Sequence, residues 1–185
     1  MSDYQEVDSN SPKEVKEIAE DVEKAFKKKV MNYEELLDGV KILAKNKLES
    51  GENISGPTFF FLDEEGEMSV VVSPNVPPNL LKELLIQIFT DRNAIAYCVM
   101  SEIWAAVFEK GDALVQPRHA PNKKDAYMVA GATRMGKKQL FVGPVEKDGQ
   151  KTISAGELIE QPPDVVRIYD GFLSIFDSME KPSIN

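Results

Sequence analysis

At 185 residues, with 42% hydrophobic and 29% charged residues, the chain has globular rather than disordered, collagenous or membrane composition. Lys and Arg number 22 against 31 Asp and Glu, and 22 − 31 = −9 disfavours nucleic-acid binding by the whole surface. One cysteine, Cys98, and one histidine, His119, exclude an internal disulfide, a cysteine zinc cluster and a two-histidine metal helix.

The first ten residues have neither a basic start nor an apolar core. They read as a disordered N-terminus without a secretory signal, which predicts a cytoplasmic protein. Ser11-Pro12-Lys13-Glu14 combines a capping Ser, a Pro at the first helical position and a Glu three residues after the cap. Val15, Ile18, Ala19, Val22, Ala25 and Phe26 continue it as a helix closed by Lys27, Lys28 and Lys29. A second helix starts near Asn32, with Glu35 in its first turn. Its stripe is Leu36, Leu37, Val40, Leu43, Ala44 and Leu48, and Ser50-Gly51 ends it. Together the two predict a helical hairpin.

Thr58 to Leu62 and Glu67 to Val72 read as a β-hairpin across Asp63-Glu64-Glu65-Gly66. Pro77-Pro78-Asn79 opens a helix whose face is Leu80, Leu81, Leu84, Leu85, Ile88 and Phe89. Ala94 to Phe108 is almost wholly apolar and predicts a central strand buried on both faces, with a buried helix as the competing reading. At 15 residues it is too short to span a bilayer as a helix. Asp125 to Thr133 and Lys138 to Val145 predict a second hairpin across Arg134 to Lys137. A short strand follows near Lys151 to Ser154, and then one amphipathic helix from Pro162 through Phe176. The fold class read from this order is α+β. A mainly antiparallel sheet carries an N-terminal helical hairpin, a mid-chain helix and a C-terminal helix. Residues 11–179 read as one domain and 180–185 as a tail.

Glu102 is the most unusual residue, a carboxylate inside an apolar run. As a strand residue it shares a face with Met100 and Trp104. Burial would push such a group toward taking up a proton, the property of a general acid or base. The structural alternative pairs it with an arginine across the sheet, Arg134 or Arg92, or leaves it near a wet edge. His119 sits between Pro117-Arg118 and Ala120-Pro121, a setting for acid/base or phosphate chemistry, although most such histidines are simply exposed. Residues 111–160 carry 8 bases and 6 acids, net +2, the one basic stretch of the chain. Arg118, Lys123, Lys124, Arg134, Lys137 and Lys138 are therefore the anion-binding candidates. Gly131 to Lys137 matches the spacing of a phosphate loop, but Lys138 holds the hydroxyl position and a strand follows, so a hairpin turn is the better reading. Phe59, Phe60 and Phe61 are consecutive and cannot all face one side. Either a helix covers each face, or a patch stays open for a protein partner or a homodimer.

Ser101-Glu102-Ile103-Trp104, a Pro/Arg/His loop ending in Pro121-Asn122-Lys123-Lys124, and Asp125-Ala126-Tyr127-Met128-Val129 form a recognisable series. It resembles a group of uncharacterised prokaryotic and phage proteins, in which an E-x-W strand precedes a basic proline loop and an acidic strand start. The resemblance implies that Glu102, Trp104, Arg118 and Asp125 are the residues to test first. It implies no activity.

The expectation is a non-catalytic cytoplasmic binding or accessory protein working through protein–protein contacts, with no cofactor, metal or membrane partner. The alternatives are a small hydrolase or phosphoesterase using Glu102 and His119, and a nucleic-acid binder using residues 118–138.

Overall fold

The first helix of the computed structural model, α1 (Tyr33–Glu49), starts at a capping box. Asn32 Oδ1 accepts from the Glu35 N–H at 2.9 Å, and Glu35 Oε2 accepts from the Asn32 N–H at 3.2 Å. Two of the helix's orphan donors are satisfied this way. All six residues of the predicted stripe are buried. The structure describes residues 31–72, 76–106, 119–167 and 170–179. The predicted helix at 11–29, and with it the helical hairpin, lies outside those residues, as do the predicted ends 1–10 and 180–185.

The predicted hairpin is β1 (Thr58–Leu62) and β2 (Met68–Val72), in register from Thr58–Val72 to Leu62–Met68. Asp63 Oδ1 fixes the turn by accepting the N–H groups of Glu65 and Glu67, each at 2.9 Å. The Gly66 carbonyl accepts from the Met31 N–H at 2.9 Å, which ties the entrance of α1 to this turn.

Helix α2 (Pro78–Asp91) ends in a Schellman motif. Asn93 takes the left-handed conformation at φ 51°, and the Ala94 N–H reaches the Phe89 carbonyl at 2.9 Å. Leu81, Leu85 and Phe89 are buried, but Leu80 is 51% and Leu84 37% exposed. The buried face is narrower than the six-residue stripe predicts, because a helix on a flat sheet hides only one side of a wide apolar face.

Five further strands follow: β3 (Ala96–Ala105), β4 (Lys124–Thr133), β5 (Lys138–Asp148), β6 (Lys151–Ala155) and β7 (Ile159–Glu160). The spatial order is β2-β1-β3-β4-β5-β6, with β7 also paired to β5, and every pairing is antiparallel. The fold class is thus α+β with an antiparallel sheet, as the order of elements predicts. β3 is an interior strand, buried from Ala96 to Ser101, but the predicted burial of its whole length fails. Its last third runs past β1 and emerges, leaving Trp104 48% exposed.

The predicted C-terminal helix is described as α3 (Pro163–Val166) and α4 (Asp170–Leu173), with 168–169 outside the described residues; it ends after Leu173, and a 3₁₀ turn follows at Phe176–Ser178. The Tyr97 hydroxyl donates to the Phe172 carbonyl at 2.9 Å, which competes with a continuing helix for that acceptor.

The sheet separates two cores. Phe60, Cys98, Met100, Tyr127 and Val129 lie under α1. Phe59, Phe61, Tyr97, Val99 and Met128 lie under α2 and the C-terminal segment. The three phenylalanines are 1%, 0% and 3% exposed, so the patch for a partner at Phe59 to Phe61 is corrected: a helix covers each face. Among the described residues no helix is long and apolar enough to cross a membrane.

Candidate functional site

Glu102 is 18% exposed and is held on both carboxylate oxygens. Oε1 accepts the Ile54 N–H at 2.7 Å, and Oε2 pairs with Lys147 Nζ. The predicted arginine partners are wrong. Arg92 follows α2, and the Arg134 N–H bonds the Ile95 carbonyl at 2.8 Å. Glu102 lies seven residues further along the strand than Ile95, about 23 Å away at 3.3 Å per residue. Lys147 reaches it instead, from the register shift of β5 between Glu146 and Lys147. A bulge re-aims a side chain in this way. The carboxylate therefore staples the 51–57 loop to the sheet. Beside it, Asn53 Nδ2 donates to the Gln150 carbonyl at 3.1 Å, and Thr152 Oγ1 donates to Asn53 Oδ1 at 3.3 Å.

His119 is exposed and bonds neither Glu102 oxygen, so the two candidates are not joined as an acid/base pair. The basic stretch is divided in space. Lys123 and Lys124 lie at one end of β4, and Arg134, Lys137 and Lys138 lie at the other. That strand has 10 residues, so its ends are about 30 Å apart. Three of these cations have local partners: Lys123 sits 4.4 Å over the Trp104 ring, Lys137 bonds Glu34 at 3.0 Å, and Lys138 bonds Asp177. Lys137 holds the Glu34 carboxyl below its usual range. Lys124 and Arg134 are exposed, as is Asp125, the cross-strand neighbour of Trp104. Arg118 lies outside the described residues. The Gly131–Lys137 spacing is a hairpin turn, with Gly136 at φ 94° and its N–H on the Thr133 carbonyl at 2.9 Å.

Three features had no signal in the sequence. Phe60, Cys98, Gly131 and Gln139 form one cross-strand row beneath α1. Tyr33 lies over it so closely that a Cβ on Gly131 would stand 2.6 Å from its hydroxyl. The Tyr33 hydroxyl and Gln139 Oε1 are buried without hydrogen-bond partners. The second feature is a groove of about 300 Å³ lined by Lys41, Ile42, Lys45, Tyr127, Glu157 and Leu158. Its Tyr127 hydroxyl is spent on the Gly156 carbonyl at 2.6 Å. Third, the carboxylates of Asp63, Glu65 and Glu67 converge within 4.8 Å, but an Asp63 oxygen is committed to the turn amides.

Burial pushes the acids of this core up: Tyr33 and Cys98 well above their ordinary values, and Tyr127 to about 12, with Glu49 adding to the last. Their neutral forms are the ones that fold. The stability this contributes is complete below the ordinary values and drains as pH climbs past about 9 to 10. Each group adds a slope of about 1.4 kcal/mol per pH unit. Urea midpoints should therefore fall sharply between about pH 8 and about pH 11. Equal midpoints would refute the effect.

Among the described residues, one stretch of apolar helix surface is exposed. Leu80 and Leu84 lie on the flank of α2 opposite Lys82, whose Nζ is 3.3 Å from Ser174 Oγ in the C-terminal segment. All five residues of β2, the strand that precedes α2 in the chain, are only half-buried. No family model, curated protein or solved structure matches the chain.

Proposed function

We propose that this is a non-catalytic binding protein of the cytoplasm that works through protein–protein contact at the α2–β2 corner. The observation that carries this is the exposure of two leucines on α2 together with a half-buried strand, β2, at the end of the strand order. An edge strand with apolar neighbours is a template for another chain. The commitment of both Glu102 oxygens and the separation of the basic residues favour this reading over hydrolysis and over nucleic-acid binding. Selection of displayed peptides on the full chain should yield binders. Their binding should be lost in the double variant Leu80→Glu/Leu84→Glu and kept in Glu102→Gln. Turnover of an ester or phosphoester by the wild type, abolished by Glu102→Gln, would overturn the proposal.

A further inference from the structure

Among the described residues α1 is the one helix that contributes to the core on its side of the sheet, and it packs on β1, β3, β4 and β6. Six strands in a row are about 24 Å wide and a helix is about 10 Å across, so one helix cannot roof that side. β2 is the strand left short of cover. Met68 and Val70 touch the core beneath α1, and Val72 shares their side by alternation along the strand. All three are only half-buried. We infer that this strip of β2 is the seat of the chain's own residues 11–29. It lies on the face opposite α2, so the contact stands whether or not Leu80 and Leu84 meet a protein partner.

The entry of the chain names the occupant. The Met31 N–H bonds the Gly66 carbonyl at 2.9 Å, two residues before Met68, and Met31 is buried. Lys29 therefore stands within about 8 Å of Met31, and Lys27 within about 15 Å, whatever their conformation. The segment before them carries Val15, Ile18, Ala19, Val22, Ala25 and Phe26 at helical spacing. Read as a helix, Val15 to Phe26 extends about 17 Å, and the five residues of β2 extend about 17 Å. An apolar stripe of that length needs an apolar surface, and one of matching length begins where the chain enters. Phe26 then falls near Met68, and Val15 near Val72.

Charge complementarity selects the same occupant. Lys27, Lys28 and Lys29 close the segment. The turn to which Met31 is bonded holds Asp63, Glu64, Glu65 and Glu67, and the carboxylates of 63, 65 and 67 lie within 4.8 Å of one another. Among the described residues no cation forms an ion pair with these four acids. The chain connection delivers three lysines to them, the nearest within a Debye length of about 10 Å. Burial of the stripe on Met68, Val70 and Val72 holds the segment on the sheet, and the attraction between the lysines and the acidic turn fixes which of its ends lies at Gly66.

Disulfide trapping in the full chain tests this. Val70 and Val71 are neighbours, about equally far along the chain from the Gly66 anchor, but Val70 packs toward α1 and Val71 toward α2. Under mild oxidation Val22→Cys/Val70→Cys should close its disulfide at least about tenfold faster than Val22→Cys/Val71→Cys, since only the first pair shares a face. The native Cys98 is buried and stays out of the reaction. Lys27→Glu/Lys28→Glu/Lys29→Glu should slow closure at residue 70, and adding Glu64→Lys/Glu65→Lys/Glu67→Lys should restore it. Equal rates at 70 and 71 overturn the inference. So do disulfides that form only between two molecules of 20.6 kDa, which would put the segment on a second copy. A rate unmoved by the lysine reversal overturns the part assigned to charge. Should the cysteine variants of β2 fail to fold by circular dichroism, Val22→Glu/Phe26→Glu should lower the urea midpoint of the full chain, and an unchanged midpoint overturns the seat on β2.

Discussion

Phe89→Ala is expected to lower the unfolding free energy by about 4 kcal/mol, the middle of the range for deleting a buried aromatic ring. Phe89 is fully buried, with ring centroids 5.0 Å from Phe61, 5.1 Å from Tyr97 and 5.8 Å from Phe176. It joins three parts of the chain: the central strands, α2 and the C-terminal segment. The cavity left behind would close poorly. Tyr97 is pinned by its hydroxyl to the Phe172 carbonyl, and the Phe89 carbonyl is itself tied to Ala94 in the helix terminus. Urea unfolding should show a lower midpoint at an unchanged slope. Leu84→Ala, on the exposed flank of the same helix, should stay within about 0.5 kcal/mol of wild type. A loss below about 1 kcal/mol for Phe89→Ala would mean that α2 does not pack on this sheet as described.

The second large effect is expected at Glu102. Glu102→Ala should cost about 3 kcal/mol, because it strands two partners at once. Lys147 would be left at 19% exposure without its carboxylate partner, and the Ile54 N–H would lose its acceptor. Glu102→Gln should cost less, since an amide oxygen can still accept from Ile54. Lys147→Ala should cost about as much as Glu102→Ala, and the double variant should cost clearly less than the sum. Additive losses in that cycle would show that the pair is not coupled. Hydrogen exchange in the 51–57 loop should rise in Glu102→Ala, because that loop is what the carboxylate holds.

Much of the frame was legible because it is written in short-range chemistry. Asn32 and Glu35 announce α1 through contacts three residues apart. Asp63 and Gly136 sit in turns whose geometry needs such residues. The strands from Thr58 to Val72 and from Lys124 to Ala155 follow from apolar, aromatic and β-branched residues set between turn signals. The candidate site was less legible. Glu102 stood out correctly as a carboxylate in an apolar strand. Its partner did not, because Lys147 arrives through a local shift in β5 that no periodicity encodes. The basic residues from Arg118 to Lys138 are close in sequence, but a ten-residue strand separates their described members in space.

The order of strands and helices from Asn32 to Ala155 and the helix start at Asn32 were determined by the sequence alone, since these depend on a residue and its near neighbours; the two-residue strand β7 was not. The tertiary structure alone decided which helix covers which phenylalanine, that Leu80 and Leu84 remain outside, that the C-terminal helix stops after Leu173, and that Glu102 meets Lys147 and Ile54. Each of those outcomes depends on competition among distant groups for the same surface or the same hydrogen bond, and a linear pattern carries no term for that competition.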